Sequence, residues 1–238
     1  MSEAPIIVER LVEARTMLGL AIPDAAIAAR MPPGWTPAAF PQGPSAGANA
    51  LFVLGDRLLG LDGAGAPIPD QERLKIAVLA ARAVHQSEVG ALVIVAGVAS
   101  HPAAVPGPYG VFAPAESTIA RTRRALSDGT ELAEESWSFQ GRNGERVQVD
   151  LAFTAAVPVR RDGESNRVRA VSAAKPDFSR TYLSDQGEDV AFSRPGGIDR
   201  LHARVVRIDG GTFDQLFEDT ELVSVISVPW LVRTVTIP

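Results

Sequence analysis

The chain has 238 residues, and 46% of them are apolar, so it can form one large domain with a substantial core. Its formal net charge of −5 argues against a nucleic-acid partner, because phosphate binding requires a basic surface. Because the chain contains no cysteine, a disulfide framework, a thiolate nucleophile and a cysteine-ligated metal are all excluded.

The start of the chain, MSEAP, lacks the basic residues of a secretion signal. No apolar run approaches the roughly 20 residues that a membrane-spanning helix requires. Gly63-Ala64-Gly65 opens no helix, and we interpret it as a turn and not as a phosphate loop. We expect a cytoplasmic protein with no membrane partner and no cofactor.

Two helices are predicted at the N-terminus. Apolar residues in segment 5–18 recur at helical spacing with charged residues between them, and Gly19 provides a stop. A second helix over 25–30 is predicted with Asp24 as its N-cap. Residues 1–30 therefore form a predicted N-terminal helical segment that precedes a strand-rich remainder.

That remainder, 31–238, carries mostly strand signals. Val and Ile predict a strand over 89–98, while the Ala-rich run 74–84 fits a strand or a helix. Asn143-Gly144, between two alternating segments, predicts a hairpin. Residues 210–218 place three apolar side chains on one helical face and predict one short helix.

These elements predict the fold class α+β, mostly antiparallel β. Eight or more short strands are expected to close into a barrel or cone, with the N-terminal helices and the one short helix near the C-terminus outside it. A Val/Ile-rich segment, 222–237, supplies the closing strand or pair of strands. We expect a single domain over 1–238.

The densest group of candidate chemical residues follows a proline-glycine turn at 106–110 (PGPYG). It consists of one carboxylate, Glu116, and three guanidinium groups, Arg121, Arg123 and Arg124. Guanidinium groups bind carboxylates through paired hydrogen bonds, so the arginines are candidate substrate ligands. Strand alternation puts Arg121 and Arg123 on one face and Arg124 on the other, and the alternative is an outward face paired with glutamates of the next strand.

Three further residues are candidates for the same site. His101 lies beside the turn and is a candidate general acid or base. Tyr109 in the turn and Trp35 in a proline-rich loop are candidate ligand contacts at a pocket mouth. His85, His101 and His202 lack the spacing of metal ligands, so no metal site is expected.

Several segments are similar to the acetoacetate decarboxylase family, from about residue 31 to the end. They are Met31-Pro32-Pro33-Gly34, Gly107-Pro108-Tyr109, Lys175-Pro176-Asp177-Phe178 and Phe213-Asp214-Gln215-Leu216-Phe217. The resemblance implies a cone-shaped, largely antiparallel barrel whose apolar interior holds the active site. In that family a lysine forms a Schiff base with a β-keto acid, a second lysine lowers its pKa, and a glutamate lies a few residues upstream.

The sequence departs from this family at the lysine pair. Arg123 and Arg124 stand in the corresponding place after a one-residue shift, and arginine cannot form the imine. The chain contains only two lysines, Lys75 and Lys175. Lys75 begins an apolar run and is expected to point inward more readily than Lys175, which lies in an apparent surface turn.

Two hypotheses for function follow. The first is an acetoacetate decarboxylase-like protein that holds a small carboxylic or keto acid in the barrel interior on Arg121 or Arg123. Proton transfer by Glu116 or His101 would make it a lyase that works without a Schiff-base lysine. The second is a non-catalytic protein that binds a small apolar ligand. A homo-oligomer is predicted because the amphipathic N-terminal helix requires a covering partner.

Overall fold

The structure is a computed structural model, and it describes residues 5–69, 74–86, 90–105, 109–163, 166–175 and 177–237. The described chain is mostly β-sheet. Its strands are β1 (Ile6–Ala21), β2 (Trp35–Pro37), β3 (Ala50–Asp62), β4 (Lys75–His85), β5 (Ala91–Ala99), β6 (Phe112–Ala125), β7 (Glu131–Gly141), β8 (Arg146–Thr154), β9 (Val159–Arg161), β10 (Arg167–Ser172), β11 (Ser179–Ser193), β12 (Ile198–Asp199), β13 (Leu201–Asp209) and β14 (Glu221–Ile237).

Helices are few in the described ranges. There is one α-helix, α1 (Asp24–Ala28), and there are two single-turn 3-10 helices, Pro102–Ala104 and Gly211–Phe213. None of the helices formed by these residues is long or apolar enough to cross a lipid bilayer. The predicted turn at Pro106-Gly107-Pro108 lies outside the described residues.

Seven strands form a closed hydrogen-bonded ring in the order β1, β3, β4, β5, β10, β11 and β14. Neighbouring strands are antiparallel except β5 and β10, which are parallel. The ring closes where β14 pairs with β1, from Ile6 opposite Ile237 to Ala21 opposite Glu221. Closure removes the sheet edges that an open array of these strands would expose.

A second set of strands, here called the outer sheet, consists of β6, β7, β8 and β13. It joins the ring through β5, which pairs with β10 over its first half and with β6 at Gly97 to Ala99. The turn between β7 and β8 contains Asn143-Gly144, and Gly144 has φ +91°, a value that favours glycine. The predicted hairpin is therefore confirmed.

The strands alternate between two apolar layers. Phe52 faces the layer between the ring and the outer sheet, where it joins the buried Trp137 of β7. Its neighbour Val53 points the other way, into the ring interior, together with Ile76 and Ile94. Because successive side chains of a strand face opposite sides, one strand contributes to both layers.

The predicted N-terminal helix over 5–18 is wrong, because this segment is the strand β1. Residues on both faces of β1 are buried, so its apolar residues do not show a period of two. Leu18 packs against the outer sheet, while Glu13 faces the ring interior. The homo-oligomer stays a prediction, and the uncovered helix that motivated it does not exist.

The other helix predictions are partly corrected. Asp24 is the first residue of the short helix α1, which confirms a helix there, but Pro23 occupies the N-cap position. The predicted helix over 210–218 is wrong, since only a 3-10 turn forms. Gln215 and Asp219 have φ of 63° and 56°, which interrupts helical geometry. The Ala-rich run at 74–84 is the strand β4.

Candidate functional site

A buried charge cluster lies in the ring interior, centred on Glu13 of β1. Arg57 of β3 donates to Glu13 Oε1 from Nε and Nη2, at 3.0 and 2.8 Å. Arg15 donates to Oε2 from Nε at 2.7 Å, and Arg233 of β14 donates to Oε1 at 3.3 Å. The side chains of Glu13 and Arg57 are each only 1% exposed. One buried carboxylate therefore accepts hydrogen bonds from three guanidinium groups.

The protonation states in this cluster follow from burial and charge. Burial opposes ionisation of Glu13, but the charges of Arg15, Arg233 and Arg57 hold its pKa well below its usual value. Burial and the nearby Arg233 lower the pKa of Arg15 to about 10. The cluster therefore carries net positive charge at neutral pH, and Arg233 also lies 4.4 Å from the centre of the Tyr182 ring.

Two tyrosines lie beside the cluster. The hydroxyls of Tyr109 and Tyr182 are hydrogen-bonded to each other, and Tyr109 is only 3% exposed. Burial raises the pKa of both phenols, so both stay protonated at neutral pH. Ser172 donates to the main-chain oxygen of Tyr109, and the ring packs edge-on against Phe178 at 5.0 Å. Tyr109 is thus held on three sides.

A pocket of about 530 Å³, here called the interior pocket, opens next to these tyrosines. Its lining residues are Glu9, Pro102, Ala103, Val105, Tyr109, Gly110, Phe112, Lys175 and Arg180. The Arg180 guanidinium lies 4.3 Å from the centre of the Phe178 ring, which fixes it at the wall. Arg57 donates to the main-chain oxygen of Ala104 at 3.2 Å, so the charge cluster contacts the loop that lines the pocket.

Glu9 of β1 is the carboxylate of the interior pocket. Burial raises its pKa, and the positive charges of Arg57, Arg233 and Arg180 act in the opposite direction. Its Oε2 atom is buried and receives no hydrogen bond from any described residue. A buried acceptor without a donor is unusual in proteins. Arg233, whose charge acts on Glu9, has a buried Nε that likewise lacks an acceptor among the described residues.

Cations exceed carboxylates in the combined cluster and pocket. There are two carboxylates, Glu9 and Glu13. There are five basic groups, which are Arg15, Arg57, Arg180, Arg233 and Lys175. The side chains of Glu13 and Arg57 are buried, so their charges are weakly screened, whereas Lys175 at the pocket is exposed to solvent. Such an arrangement is suited to binding a small anion with an apolar body.

Comparisons with known proteins identify the architecture. Neither a protein-family model nor a curated protein sequence matches the chain. Among solved structures, the enduracididine biosynthesis enzyme MppR, complexed with the condensation product of pyruvate and imidazole 4-carboxaldehyde, superposes with a TM-score of 0.61. The match covers 99% of this chain and 88% of MppR, at 12% identity. An acetoacetate decarboxylase-like enzyme from Sphingomonas wittichii RW1 gives a TM-score of 0.55 at 10% identity, covering 98% of this chain and 93% of that one.

The chain has the fold of acetoacetate decarboxylase-like enzymes. This confirms at the level of the fold the resemblance that the sequence suggested. At such low identities the likeness establishes the acetoacetate decarboxylase-like fold alone, and the chemistry must be argued from the residues of this chain.

Within the acetoacetate decarboxylase-like fold, the predicted arginines lie in the outer sheet and not in the ring interior. Arg121 pairs with the buried Glu135 at 3.3 Å and lies 5.8 Å from the Trp137 ring centre. Arg123 pairs with Glu131 at 3.3 Å on the same strand face. Arg124 points to the opposite face and is exposed. The predicted alternation is confirmed, and the contacts match the ion-paired alternative.

The other predicted residues are spread over the molecule. Tyr109 lines the interior pocket, whereas Glu116 is exposed on β6. His101 is exposed, with Nδ1 3.2 Å from Ser100 Oγ, and precedes the pocket residue Pro102. Trp35 packs on His85 at the far end of β4, away from the interior pocket. The structure therefore brings together only Tyr109 and, at the margin, His101.

The two lysines differ in exposure and in position. Lys75 is the less exposed of the two, in line with the sequence-based expectation, whereas Lys175 is exposed and lies at the rim of the interior pocket. Lys175 lines the interior pocket, and its side chain lies close to Gly110. Lys75 is ion-paired with Asp56 on β3 and does not line the pocket. In the described part of the chain, no three His, Asp or Glu residues gather as metal ligands.

Sequence reasoning missed the charged residues of β1, which line the site. Glu9, Glu13 and Arg15 occupy odd positions, so a strand places all three on one face. At helical spacing the same charges form the polar side of the predicted helix over 5–18. Arg233 is the one charged residue of β14 after Glu221, and a lone charge in an apolar strand is a sequence signal of a buried ion pair. Arg57 follows Asp56 directly in β3 and carries no such signal.

Proposed function

We propose that this chain binds a small carboxylic or keto acid in the interior pocket. The observation that carries the proposal is the surplus of basic groups, five against two carboxylates, beside a cavity whose lining is both polar and apolar. Arg180 and Lys175 line the cavity and would hold the carboxylate, while the cluster at Glu13 supplies a positive field behind it.

A lyase reaction without an imine is the catalytic form of this proposal. Loss of CO₂ from a β-keto acid leaves an enolate, whose oxygen needs stabilisation by hydrogen-bond donors or positive charge. Arg180 and the protonated Tyr109 line the same cavity and can supply both. MppR, which shares the fold, was solved with a condensation product of pyruvate, a keto acid, and this supports the ligand class.

The proposal predicts that Arg180→Gln weakens acid binding. Calorimetric titration with 3-phenylpropanoate should show about a ten- to hundredfold loss in affinity, because a charge-assisted hydrogen bond is removed. Arg146→Gln is the matched control, since Arg146 is exposed and pairs with Asp209 on the outer sheet. Equal losses in the two variants, or no loss in either, would contradict the proposal.

The second candidate function is that of a non-catalytic protein that binds a small apolar ligand. The apolar contribution of Val105, Tyr109 and Phe112 to the pocket wall favours it. The alcohol 3-phenylpropan-1-ol, which has the same body as the acid without its charge, separates the two candidates. If the alcohol binds as tightly as the acid and Arg180→Gln changes neither, the apolar-ligand protein is supported and the acid site is rejected.

A further inference from the structure

The strand β13 forms a free edge of the outer sheet. It pairs with β8 on one side, and no other described residue exchanges main-chain hydrogen bonds with residues 202–209. Residues 202–207 are all exposed. An unpaired strand edge presents a row of N–H and C=O groups, and a further strand can add to it by pairing with those groups.

A second cavity, of about 510 Å³, lies along this free edge, between β13 and Phe217. Its lining includes four consecutive residues of β13, from Val206 to Asp209, and successive side chains of a strand face opposite sides of the sheet. Among the described residues that line the cavity, none belongs to β8. A cavity that meets both faces of β13 and does not reach β8 lies where the next strand of the outer sheet would pair.

The second cavity has apolar walls on its inner side. Val206 and Ile208 are register partners of Val149 and Val147, so they continue the buried face of β8. The apolar residues of the opposite wall are Leu20, Phe217 and Leu222. A strand added beside β13 would therefore place every second side chain between these apolar walls and the others on the solvent face.

The charges along β13 indicate which kind of strand can add. Arg204 and Arg207 line the second cavity, are exposed, and form no ion pair with any described residue. The lining carboxylate, Asp209, accepts a hydrogen bond from Arg146 at 2.8 Å. The acidic residues 218–219 are exposed but do not belong to the lining. The edge therefore carries a local positive charge, which favours an acidic strand.

A second copy of this chain is a poor occupant of the edge. Two paired β13 strands would bring Arg204 and Arg207 of both copies into one ribbon, and like charges on paired strands are destabilising. Charged side chains on edge strands are a known protection against pairing between identical edges. The same arginines attract a strand that carries carboxylates.

We propose that the free edge of β13 is a docking site for an extended acidic segment of a partner protein, which adds to the outer sheet as a further strand. The main chain of the segment pairs with β13, and its alternate apolar side chains fill the second cavity. The carboxylates between them lie beside Arg207 on the solvent face. This inference does not depend on acid binding in the interior pocket.

The test is fluorescence anisotropy with a fluorescein-labelled heptapeptide of alternating Glu and Val, EVEVEVE. The parent protein should bind it with a Kd of about 0.1 mM or tighter and should bind the Lys/Val counterpart about tenfold more weakly. Arg207→Glu should weaken binding of the Glu/Val peptide about fivefold. Arg124→Glu, at an exposed arginine of β6, is the matched control and should keep the parent affinity.

N-methylated peptides separate strand pairing from attraction between charges alone. In an antiparallel pair, alternate residues direct their N–H groups to the same neighbour. Methylation of all valine nitrogens therefore blocks one edge of the peptide, and methylation of all glutamate nitrogens blocks the other. One of the two methylated peptides should lose about tenfold in affinity, and the other should bind as the parent peptide does.

Three results would overturn the proposal. The first is no binding of the Glu/Val peptide, or equal binding of the Lys/Val peptide. The second is equal affinity of the two methylated peptides, which would mean that only charges attract the peptide. The third is a dimer by light scattering that the peptide converts to monomers, which would make a second copy the occupant of the edge.

Discussion

Replacing Glu13 with glutamine should lower the free energy of unfolding by about 3–5 kcal/mol. The substitution keeps the side-chain volume but removes the carboxylate with which Arg15, Arg57 and Arg233 are ion-paired. Buried charges that lose their partner carry the full cost of desolvation. Urea denaturation followed by tryptophan fluorescence would measure the change.

Glu131→Gln is the matched control for this prediction. It also removes one carboxylate from an ion pair with an arginine, Arg123, but Glu131 is 45% exposed against 1% for Glu13. Exposed pairs contribute little, so a change of about 0–1 kcal/mol is expected. Similar losses in the two variants would show that the Glu13 cluster is not buried as described.

The free energy of unfolding, measured as a function of pH, provides a second test of the Glu13→Gln variant. The folded pKa of Glu13 lies below its unfolded value, so its contribution is present above the unfolded pKa and is lost as pH falls through the folded pKa. The parent should therefore lose part of its stability below about pH 5, and Glu13→Gln should lose less over that window.

Trp137→Ala should also destabilise the protein by about 3–5 kcal/mol. Trp137 is fully buried on β7, at the contact between the outer sheet and the ring, and its Nε1 donates to Glu135 at 3.4 Å. Truncation leaves a large cavity that the closed ring cannot collapse to fill. Because fluorescence is altered by the substitution, circular dichroism in urea is the suitable measurement.

Trp230→Ala controls for the loss of a tryptophan as such. Trp230 is 40% exposed on β14 and packs beside Gly187. Its truncation removes little buried surface, and the expected cost is about 1 kcal/mol or less. If Trp137→Ala cost no more than Trp230→Ala, at about 1 kcal/mol or less, the outer sheet would not be anchored through Trp137.

The sequence was sufficient for the fold class because the strand signals are local. The hairpin at Asn143-Gly144 and the Val/Ile-rich strands β5 and β14 follow from turn chemistry and β-propensity. The segment 5–18 was misread because β1 is buried on both faces, so its apolar residues lack the alternation that distinguishes a strand.

The candidate site could not be assembled from the sequence for a different reason. The cluster joins Glu13 of β1, Arg57 of β3 and Arg233 of β14, and only the closure of the ring brings positions 13 and 233 together. The arginines singled out in the sequence are instead adjacent along β6, where Arg121 pairs with Glu135 of the neighbouring strand. The closeness of Arg121 and Arg123 in the sequence suggested a binding site. In the fold, ion pairs with Glu135 and Glu131 of β7 make these arginines part of the surface of the outer sheet.

A crystal structure of the protein with bound 3-phenylpropanoate is the most direct test of the acid site in the ring. The acid should lie in the interior pocket, with its carboxylate on Arg180. A second cavity of about 510 Å³ lies between β13 and Phe217. Density for the acid in that cavity, or at Arg121 and Arg123 on the outer sheet, with the interior pocket unchanged, would contradict the acid site in the ring.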